Sequence, residues 1–278
     1  MMSDIEAGKR GRRTLLIDHS KKIGEKIRIS GGGRCNFTNI NANSSKYISN
    51  NPSFIISALN QYNHESFINL VKKYKIKYHE KKLGQLFCDN SAQQIIDMLL
   101  KECELANVIL KIETKVVKLN YKEKIFIIRD NVETYVSSSL IIATGGLSVP
   151  KIGASKFGYD VAKQFNLNII DTSPALVPLT FNEKILNKCK LLAGVSANAI
   201  ISINRTFFEE GMLFTHRGLS GPSILQISSY WKEGDFINID LCPEKNIYDV
   251  LLENRKKSPK QNINTIISSF LAKKLSNV

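Results

Sequence analysis

The segment Thr14-Leu15-Leu16-Ile17-Asp18 is a short apolar run that ends in an acid. Its length and its bounded apolar character predict a buried strand of a parallel sheet. A strand that ends in an acid is typical of the second strand of a dinucleotide-binding fold, where the carboxylate accepts hydrogen bonds from the adenosine ribose. A simple turn acid without a ligand is the alternative interpretation of Asp18.

The residues before Asp18 do not complete that fold. A full fingerprint places a first strand and a G-x-G-x-x-G turn about 20 residues before the acid. Only 17 residues precede Asp18, and the glycines among them, Gly8 and Gly11, lie just before its strand. The fingerprint occurs nowhere else in the sequence. The residues alone therefore predict an incomplete Rossmann-like domain.

Helical and strand patterns alternate through the first part of the chain, which favours an α/β layer with a parallel sheet. A mainly helical stretch is expected to follow the Gly-rich segment around residue 32, and Ser91 and Gln94 form a capping box before one of its helices. Short strands are then expected between residues 108 and 136.

Pro174 and Pro178 bracket a linker, so the predicted domains are residues 1–178 and 179–278. Beyond the linker, short strands among turns predict a small β-rich domain. The apolar spacing from Ile263 to Leu275 predicts one amphipathic helix at its end.

The loop Gly31-Gly32-Gly33-Arg34-Cys35-Asn36 is the strongest candidate ligand contact in the chain. Consecutive glycines can adopt positive φ and let the backbone approach a ligand closely. Arg34 can bind phosphate or carboxylate through two parallel hydrogen bonds. A flexible surface turn is the alternative. Cys35 is either a thiol activated by its basic neighbour or a buried, inert one.

Two further segments are candidates for chemistry. Leu140-Ile141-Ile142-Ala143 predicts a buried strand that runs into Thr144-Gly145-Gly146, at the sheet edge where α/β folds place ligands. A tight turn without a ligand is the alternative there. His216 lies in a loop and is a candidate proton donor, or a structural histidine.

Composition restricts the class of protein. The 278 residues are 43% hydrophobic, which argues against disorder, and contain no apolar run long enough for a transmembrane helix. Five cysteines without a C-x-x-C pair predict no disulfide framework, no metal site and a reducing cytoplasm. The net charge of +14 is spread along the chain, which predicts a solvated surface rather than a nucleic-acid partner, with RNA or phosphate binding as the alternative.

Four motifs resemble those of a bacterial family of NAD(P)/FAD-dependent oxidoreductases, the aminoacetone-oxidase-like and dehydro-bile-acid-reductase-like flavoproteins. The motifs occur in the family's order and cover nearly all of the chain. They are Leu16-Ile17-Asp18 with Ile23-Gly24-Glu25-Lys26 and Ser30 to Asn39, Ala143-Thr144-Gly145-Gly146-Leu147-Ser148-x-Pro150, Pro174-Ala175-Leu176-Val177-Pro178-Leu179, and Leu213-Phe214-Thr215-His216-x-Gly218-Leu219-Ser220-Gly221-Pro222.

The resemblance implies an α/β fold with a FAD-binding Rossmann-like domain and an inserted β-barrel plus helical subdomain. It implies FAD as the cofactor, NAD(P)H as the reductant and a small unsaturated or carbonyl compound as the substrate. Asp18 would face the adenosine ribose. The other cofactor-lining residues implied are Gly31, Gly32, Gly33, Arg34, Asn36, Thr144, Gly145 and Gly146.

The sequence also departs from the family pattern. Family members begin with a strand and a Gly-rich phosphate loop, and they end with a Gly-rich segment that closes over the flavin; both are missing here. Gly153-Ala154-Ser155-Lys156-Phe157 replaces the Gly-Ser-Thr-Gly that follows Pro150 in the family. We therefore expect a member shortened at both ends. A decayed scaffold that no longer binds FAD is the alternative function.

Overall fold

A computed structural model describes residues 1–277, and these form two compact units. The first unit is Met1–Ile170 and the second begins at Asp171. The boundary expected from the sequence, between residues 178 and 179, stays a prediction.

The first unit contains six α-helices and eight strands among its described residues. The helices are α1 (Met2–Lys9), α2 (Glu25–Ile29), α3 (Ile56–Gln61), α4 (His64–Lys73), α5 (Gln93–Leu105) and α6 (Phe157–Gln164). The strands are β1 (Leu15–Ile17), β2 (Asn36–Asn39), β3 (Tyr78–Glu80), β4 (Gln85–Cys88), β5 (Ile109–Lys111), β6 (Lys118–Lys122), β7 (Ile125–Arg129) and β8 (Thr134–Ser137).

The predicted parallel strand at the start of the chain is confirmed. Strand β1 pairs in parallel with β5, with Leu16 opposite Leu110; β1 is half-buried rather than buried, and Ile109 and Leu110 of β5 are exposed. The ladder extends by one bond, because the Asp18 amide donates to the carbonyl of Lys111 at 2.9 Å. Asp18 therefore lies at the carboxyl end of a parallel strand.

The stretch expected to be mainly helical also holds an antiparallel sheet with strand order β2-β4-β3. These strands are three or four residues long. Strands this short contain too few residues for an alternation of apolar and polar side chains to be recognised next to the helical pattern around them. One face of this sheet packs into the main core through Phe37, Tyr78 and Cys88.

Helix α5 supplies the largest part of that core. The predicted capping box is formed in part: Gln94 Oε1 accepts from the Ser91 amide at 3.5 Å, but Ser91 Oγ accepts from the Gln93 amide at 3.1 Å, and the N-cap residue is Ala92, one residue later than expected. The buried face that follows is the one expected from helical spacing, and its residues are Ile95, Met98, Leu99 and Cys103.

A β-meander, β6-β7-β8, forms the third sheet of this unit. Its first turn carries positive φ at Glu123 and Lys124 (52° and 65°), the conformation of a tight hairpin turn. Leu119 and Ile128 from the meander pack against Val161 of α6.

The strand expected at Leu140–Ala143 is wrong. This segment is irregular, and Ile141 is 63% exposed. The parallel sheet of the described residues consists of β1 and β5 alone, so the segment has no neighbouring strand with which to form a ladder. Thr144-Gly145-Gly146 is therefore an exposed loop rather than the end of a buried strand.

The second unit is built on a five-stranded antiparallel sheet, curled into half of a barrel, with strand order β13-β10-β11-β12-β9. Its strands are β9 (Leu179–Thr180), β10 (Ser196–Ile203), β11 (Thr206–Thr215), β12 (Gly218–Ser220) and β13 (Asn238–Asp240). Its helices are α7 (Glu183–Leu191), α8 (Pro222–Ile227), α9 (Ile247–Lys257), α10 (Ile263–Ile267) and α11 (Lys273–Ser276). The expected α/β fold with a β-rich second part is confirmed.

The single helix expected from Ile263 to Leu275 is wrong. The structure has two short helices there, α10 and α11. The hydroxyls of Ser268 and Ser269 donate back to the carbonyls of Thr265 and Ile266, at 2.9 and 2.6 Å, and occupy acceptors at the end of α10. Such local bonds compete with helix continuation.

None of the helices in residues 1–277 combines the length and the apolar character that crossing a lipid bilayer requires.

A buried carboxylate ties three helices of the first unit together. Glu102 on α5 is 1% exposed, and it accepts hydrogen bonds of 2.8 Å from Lys73, Tyr74 and Lys9. The bonds from Lys73 and Lys9 lower the pKa of Glu102 from 4.5 to about 2. Burial, and then the bond to this carboxylate, raise the pKa of Tyr74 to about 12. No motif or spacing in the sequence indicates this cluster.

We expect Glu102→Gln to lower the free energy of unfolding by roughly 2–3 kcal/mol at neutral pH. The pKa is lower in the folded state, so the stabilisation is complete above about pH 4.5 and disappears as the pH falls through about 2. Urea unfolding at several pH values should show wild type and variant converging in that acidic range. The control Glu104→Gln removes an exposed ion pair with Lys101 and should change little. A constant difference at all pH values would contradict the account.

Candidate functional site

The Gly-rich loop between α2 and β2 is a compact turn. Gly31 and Gly32 have φ of 58° and 67°, in the left-handed region that glycine adopts without a steric cost. The Arg34 amide donates to the carbonyl of Gly31 at 3.4 Å, and the Ala92 amide donates to that of Gly33 at 2.7 Å. The loop is thus fixed at its end by the start of α5, while Gly31 and Gly32 remain exposed.

Gly31 is required by close packing as well as by φ. A Cβ at this position would lie 2.7 Å from both the Asn36 amide nitrogen and the Phe87 ring. A Cβ on Gly32 would meet nothing within 4 Å. A side chain at Gly31 would therefore clash with the protein, whereas a side chain at Gly32 would extend into open space.

The side chains that follow the glycines have different environments. Arg34 and Asn36 are exposed, whereas Cys35 is 4% exposed. Burial raises the pKa of the Cys35 thiol, although a hydrogen bond with Ser30 partly offsets this. Of the two interpretations left open by the sequence, the buried, inert thiol is the one the structure supports.

Asp18 lies directly after β1, at the carboxyl end of a parallel strand, and its role toward a ribose stays a prediction. One carboxylate oxygen accepts from the Ser20 amide at 2.8 Å, and the side chain is 32% exposed. Next to it, His19 packs against the loop that follows Pro150, because a Cβ on Gly153 would lie 2.5 Å from His19 Nε2. The carboxylate is thus anchored at one oxygen and accessible to solvent.

The exposed loop Thr144-Gly145-Gly146 lies next to α2. Lys26 Nζ donates to Ser148 Oγ at 3.0 Å, and it lies 3.7 Å from where a Cβ of Gly145 would be. Lys26 thus connects α2, the helix that precedes the Gly-rich loop, with the Thr144-Gly145-Gly146 loop. Sequence reasoning missed Lys26, although it stands inside the first motif of the resemblance.

His216 lies in the second unit, in the two-residue turn between β11 and β12. The side chain is exposed, and within residues 1–277 it makes no hydrogen bond. Its neighbour Arg217 donates its amide to Thr215 Oγ1 at 3.2 Å and so shapes the turn. This arrangement is that of a hairpin tip, and it supplies no partner that would orient a proton donor.

The donor set of the first unit fits a flavin dinucleotide. Lys26 and Arg34 are cations without a carboxylate partner in the described part of the chain, which suits the anionic pyrophosphate. Gly32 offers a backbone that nothing covers, and Asp18 offers a free acceptor at the carboxyl end of a parallel strand. These are the chemical groups that a dinucleotide requires.

Residues 1–228 match the family model for the HI0933-like protein Rossmann domain. The chain belongs to the HI0933-like family. This family binds FAD, so the expected relationship to flavoprotein oxidoreductases is confirmed at the level of the family.

The sequence of this HI0933-like chain is similar to those of several named enzymes. A ribosomal RNA dihydrouridine synthase of Escherichia coli (strain K12) is 48% identical over 99% of this chain and 69% of that protein. A protein of the same name from Haemophilus influenzae (strain ATCC 51907 / DSM 11121 / KW20 / Rd) is 42% identical over 97% of this chain and 68% of that protein. A 3-dehydro-bile acid delta(4,6)-reductase of Clostridium scindens (strain ATCC 35704 / DSM 5676 / VPI 13733 / 19) is 27% identical over 84% of this chain and 59% of that protein.

We expect Gly32→Ala to lower FAD affinity about tenfold or more, because its Cβ would occupy the open space where a cofactor approaches the loop. Gly11→Ala is the matched control, since Gly11 also has positive φ (73°) and nothing within 4 Å. Both variants should lose about 1 kcal/mol of stability from the backbone conformation alone. Titration of the protein with FAD, followed by flavin fluorescence, should separate them; equal affinities would place the cofactor elsewhere.

Proposed function

We propose that this protein is a FAD-dependent reductase that converts a uridine of ribosomal RNA to dihydrouridine. The observation that carries the proposal is the 48% identity, over 99% of the chain, to the Escherichia coli ribosomal RNA dihydrouridine synthase. The proposal departs from the sequence-based prediction of a small-molecule substrate without nucleic acid.

The names of the relatives support one common chemistry. Dihydrouridine forms by reduction of the C5=C6 double bond of uracil, which is conjugated with the C4 carbonyl. The name of the bile-acid enzyme describes double bonds conjugated with a 3-oxo group. Both names therefore describe reduction of a carbon–carbon double bond conjugated with a carbonyl group. This chemistry agrees with the unsaturated or carbonyl substrate expected from the sequence.

Bound FAD supplies the hydride for this reduction, and NAD(P)H is the proposed reductant. The chain's own residues would hold the cofactor: Asp18 would accept from the adenosine ribose, and Gly31 to Gly33 would let the backbone approach the cofactor closely. Arg34 and Lys26 would offset the pyrophosphate charge. Asn36, Thr144, Gly145 and Gly146 would line the cofactor as well. His216 receives no catalytic role.

The charge supports an RNA substrate. Lys and Arg number 39 against 25 Asp and Glu. Lysines and arginines that contact phosphates release counterions, so affinity for RNA falls steeply as salt increases. The five cysteines are free, which suits a reducing cytoplasm, the compartment we propose.

The test uses the purified protein, FAD, NADH or NADPH, and ribosomal RNA from cells that lack the gene. The RNA is digested to nucleosides, and dihydrouridine is measured by mass spectrometry. We expect dihydrouridine only when FAD and a nicotinamide nucleotide are both present. Reduction of a small conjugated ketone without any reaction of RNA would overturn the RNA substrate but retain the reductase. Protein that takes up no FAD would favour the decayed scaffold.

A further inference from the structure

The open face of the β2-β4-β3 sheet carries polar and aromatic side chains in a row. Phe87 on β4 stands opposite Asn36 on β2 and opposite His79 on β3. Residues directly opposite each other in antiparallel strands point to the same face. The other face of this sheet is the one that packs into the core, so this row belongs to the outer face.

His79 on this face is held by a carboxylate. Its Nδ1 lies 2.7 Å from Asp89 Oδ1, and its side chain is 45% exposed. Within residues 1–277, Nε2 makes no hydrogen bond. A histidine whose Nδ1 is bonded to a carboxylate has a fixed ring orientation and presents Nε2 to a reacting group.

The row adjoins the Gly-rich loop directly. The Phe87 ring lies 2.7 Å from the Cβ position of Gly31, and it stacks on the His79 ring with centroids 6.2 Å apart. Neighbouring strands are about 4.8 Å apart, so His79 is about 10 Å from Asn36 across the sheet. The Phe87 ring covers the sheet surface between them, so a substrate ring that reaches from a cofactor at the loop to the imidazole would lie over Phe87.

Lysines flank the strand of His79 at both ends. Lys77 precedes β3 and Lys81 follows it, each two residues from His79, so the strand alternation places all three side chains on the outer face. Both lysines are exposed, and Lys81 Nζ lies 5.0 Å from the centre of the Phe87 ring. Cations on both sides of the histidine suit the phosphates that precede and follow a bound nucleotide.

We propose that His79, oriented by Asp89, donates the proton that completes reduction of the substrate double bond. This inference rests on the proposed function. Hydride addition at C6 forms one C–H bond and breaks the C5=C6 π bond, whose electrons move toward C5 and the C4 carbonyl. Transfer of the proton from His79 Nε2 to C5 forms the second C–H bond and leaves a neutral imidazole, which solvent protonates again. The uracil is reduced by two electrons, and NAD(P)H is the ultimate reductant.

The test measures two half-reactions separately by stopped-flow absorbance. The protein with FAD is first reduced by NAD(P)H and then mixed with ribosomal RNA from cells that lack the gene. We expect His79→Gln to be reduced at the wild-type rate and to be reoxidised by RNA about 10²–10³-fold more slowly. Asp89→Asn should give a smaller defect. Glu80→Gln, on the opposite face of β3, should behave as wild type.

Two readouts separate proton donation from a structural role. The charged groups facing His79 are Asp89, directly after β4, and Lys77 and Lys81, directly before and after β3, and they remain in the His79 variants. In wild type, the rate of RNA-driven reoxidation should depend on pH, whereas the His79→Gln rate should be independent of pH. Added imidazole should restore reoxidation in His79→Ala. Wild-type reoxidation in His79→Gln, or no rescue by imidazole, would overturn the proposal.

A third readout needs no cofactor. The ring resonances of His79, identified as those missing from His79→Gln, should shift when a uridine-containing oligonucleotide is added to FAD-free protein. Unshifted resonances would contradict the placement of the substrate on this sheet face. If RNA does not reoxidise wild type at all, the proposed function fails. The same comparison with a small conjugated ketone then still decides the role of His79, because its reduction needs the same proton.

Discussion

Gly31→Ala is expected to lower the free energy of unfolding by about 3 kcal/mol or more. A left-handed backbone costs a residue with a Cβ about 1–2 kcal/mol. Forcing a methyl group into packed surroundings adds roughly 1–3 kcal/mol. At this position the Cβ would lie 2.7 Å from the backbone nitrogen of Asn36 and from the ring of Phe87, which is itself 8% exposed. Neither neighbour can move without disturbing β2 or β4.

Urea unfolding followed by circular dichroism measures this difference. Gly32→Ala and Gly11→Ala are the controls, because both have positive φ and open surroundings. They should lose only about 1 kcal/mol. A Gly31→Ala loss no larger than theirs would mean that Phe87 does not pack on the loop. It would also weaken the placement of His79 beside it.

Asp18→Ala is expected to reduce FAD affinity roughly thirtyfold. Hydrogen bonds to a charged group contribute about 1.5–3 kcal/mol, and a loss of about 2 kcal/mol corresponds to that factor in Kd. In the proposed site, the Asp18 carboxylate at the end of β1 accepts from the ribose hydroxyls. The variant also loses the bond from the Ser20 amide, so the fold must be checked separately.

Asp240→Ala is the matched control. Asp240 also ends a strand, β13, and accepts from the amide two residues later, that of Cys242, at 2.9 Å. Both variants therefore lose the same kind of turn bond, and both should unfold at similar urea concentrations relative to wild type. In an FAD titration, only Asp18→Ala should show a weaker affinity for FAD than wild type. An unchanged Kd in that variant would remove Asp18 from the cofactor site.

The sequence predicted those elements whose pattern is local. The parallel strand β1, the buried face of α5 and the antiparallel β6-β7 hairpin follow from apolar period and turn residues, and the structure has all three. The strand at Leu140–Ala143 failed because an apolar run becomes a strand only when another strand lies beside it. That condition depends on the whole sheet and not on the run itself.

The candidate site was predicted only in part, because sequence patterns reveal local features rather than contacts between distant segments. Glycines and an acid at the end of a strand can be recognised in the sequence, because few residues can replace them. Contacts between distant segments leave no such pattern. Lys26 and Ser148 are brought together by folding, as are His79 and Asp89, and no spacing rule indicates either pair. Their strands and helices are short, so periodicity does not reveal which face each side chain occupies.

The nucleosides of ribosomal RNA report directly on the proposed reaction. RNA from cells with the gene, from cells without it and from complemented cells is digested and measured by mass spectrometry. We expect dihydrouridine in the first, its loss in the second and its return in the third, with less return for Asp18→Ala. Equal dihydrouridine in the presence and absence of the gene would mean that the protein does not reduce uridine in ribosomal RNA.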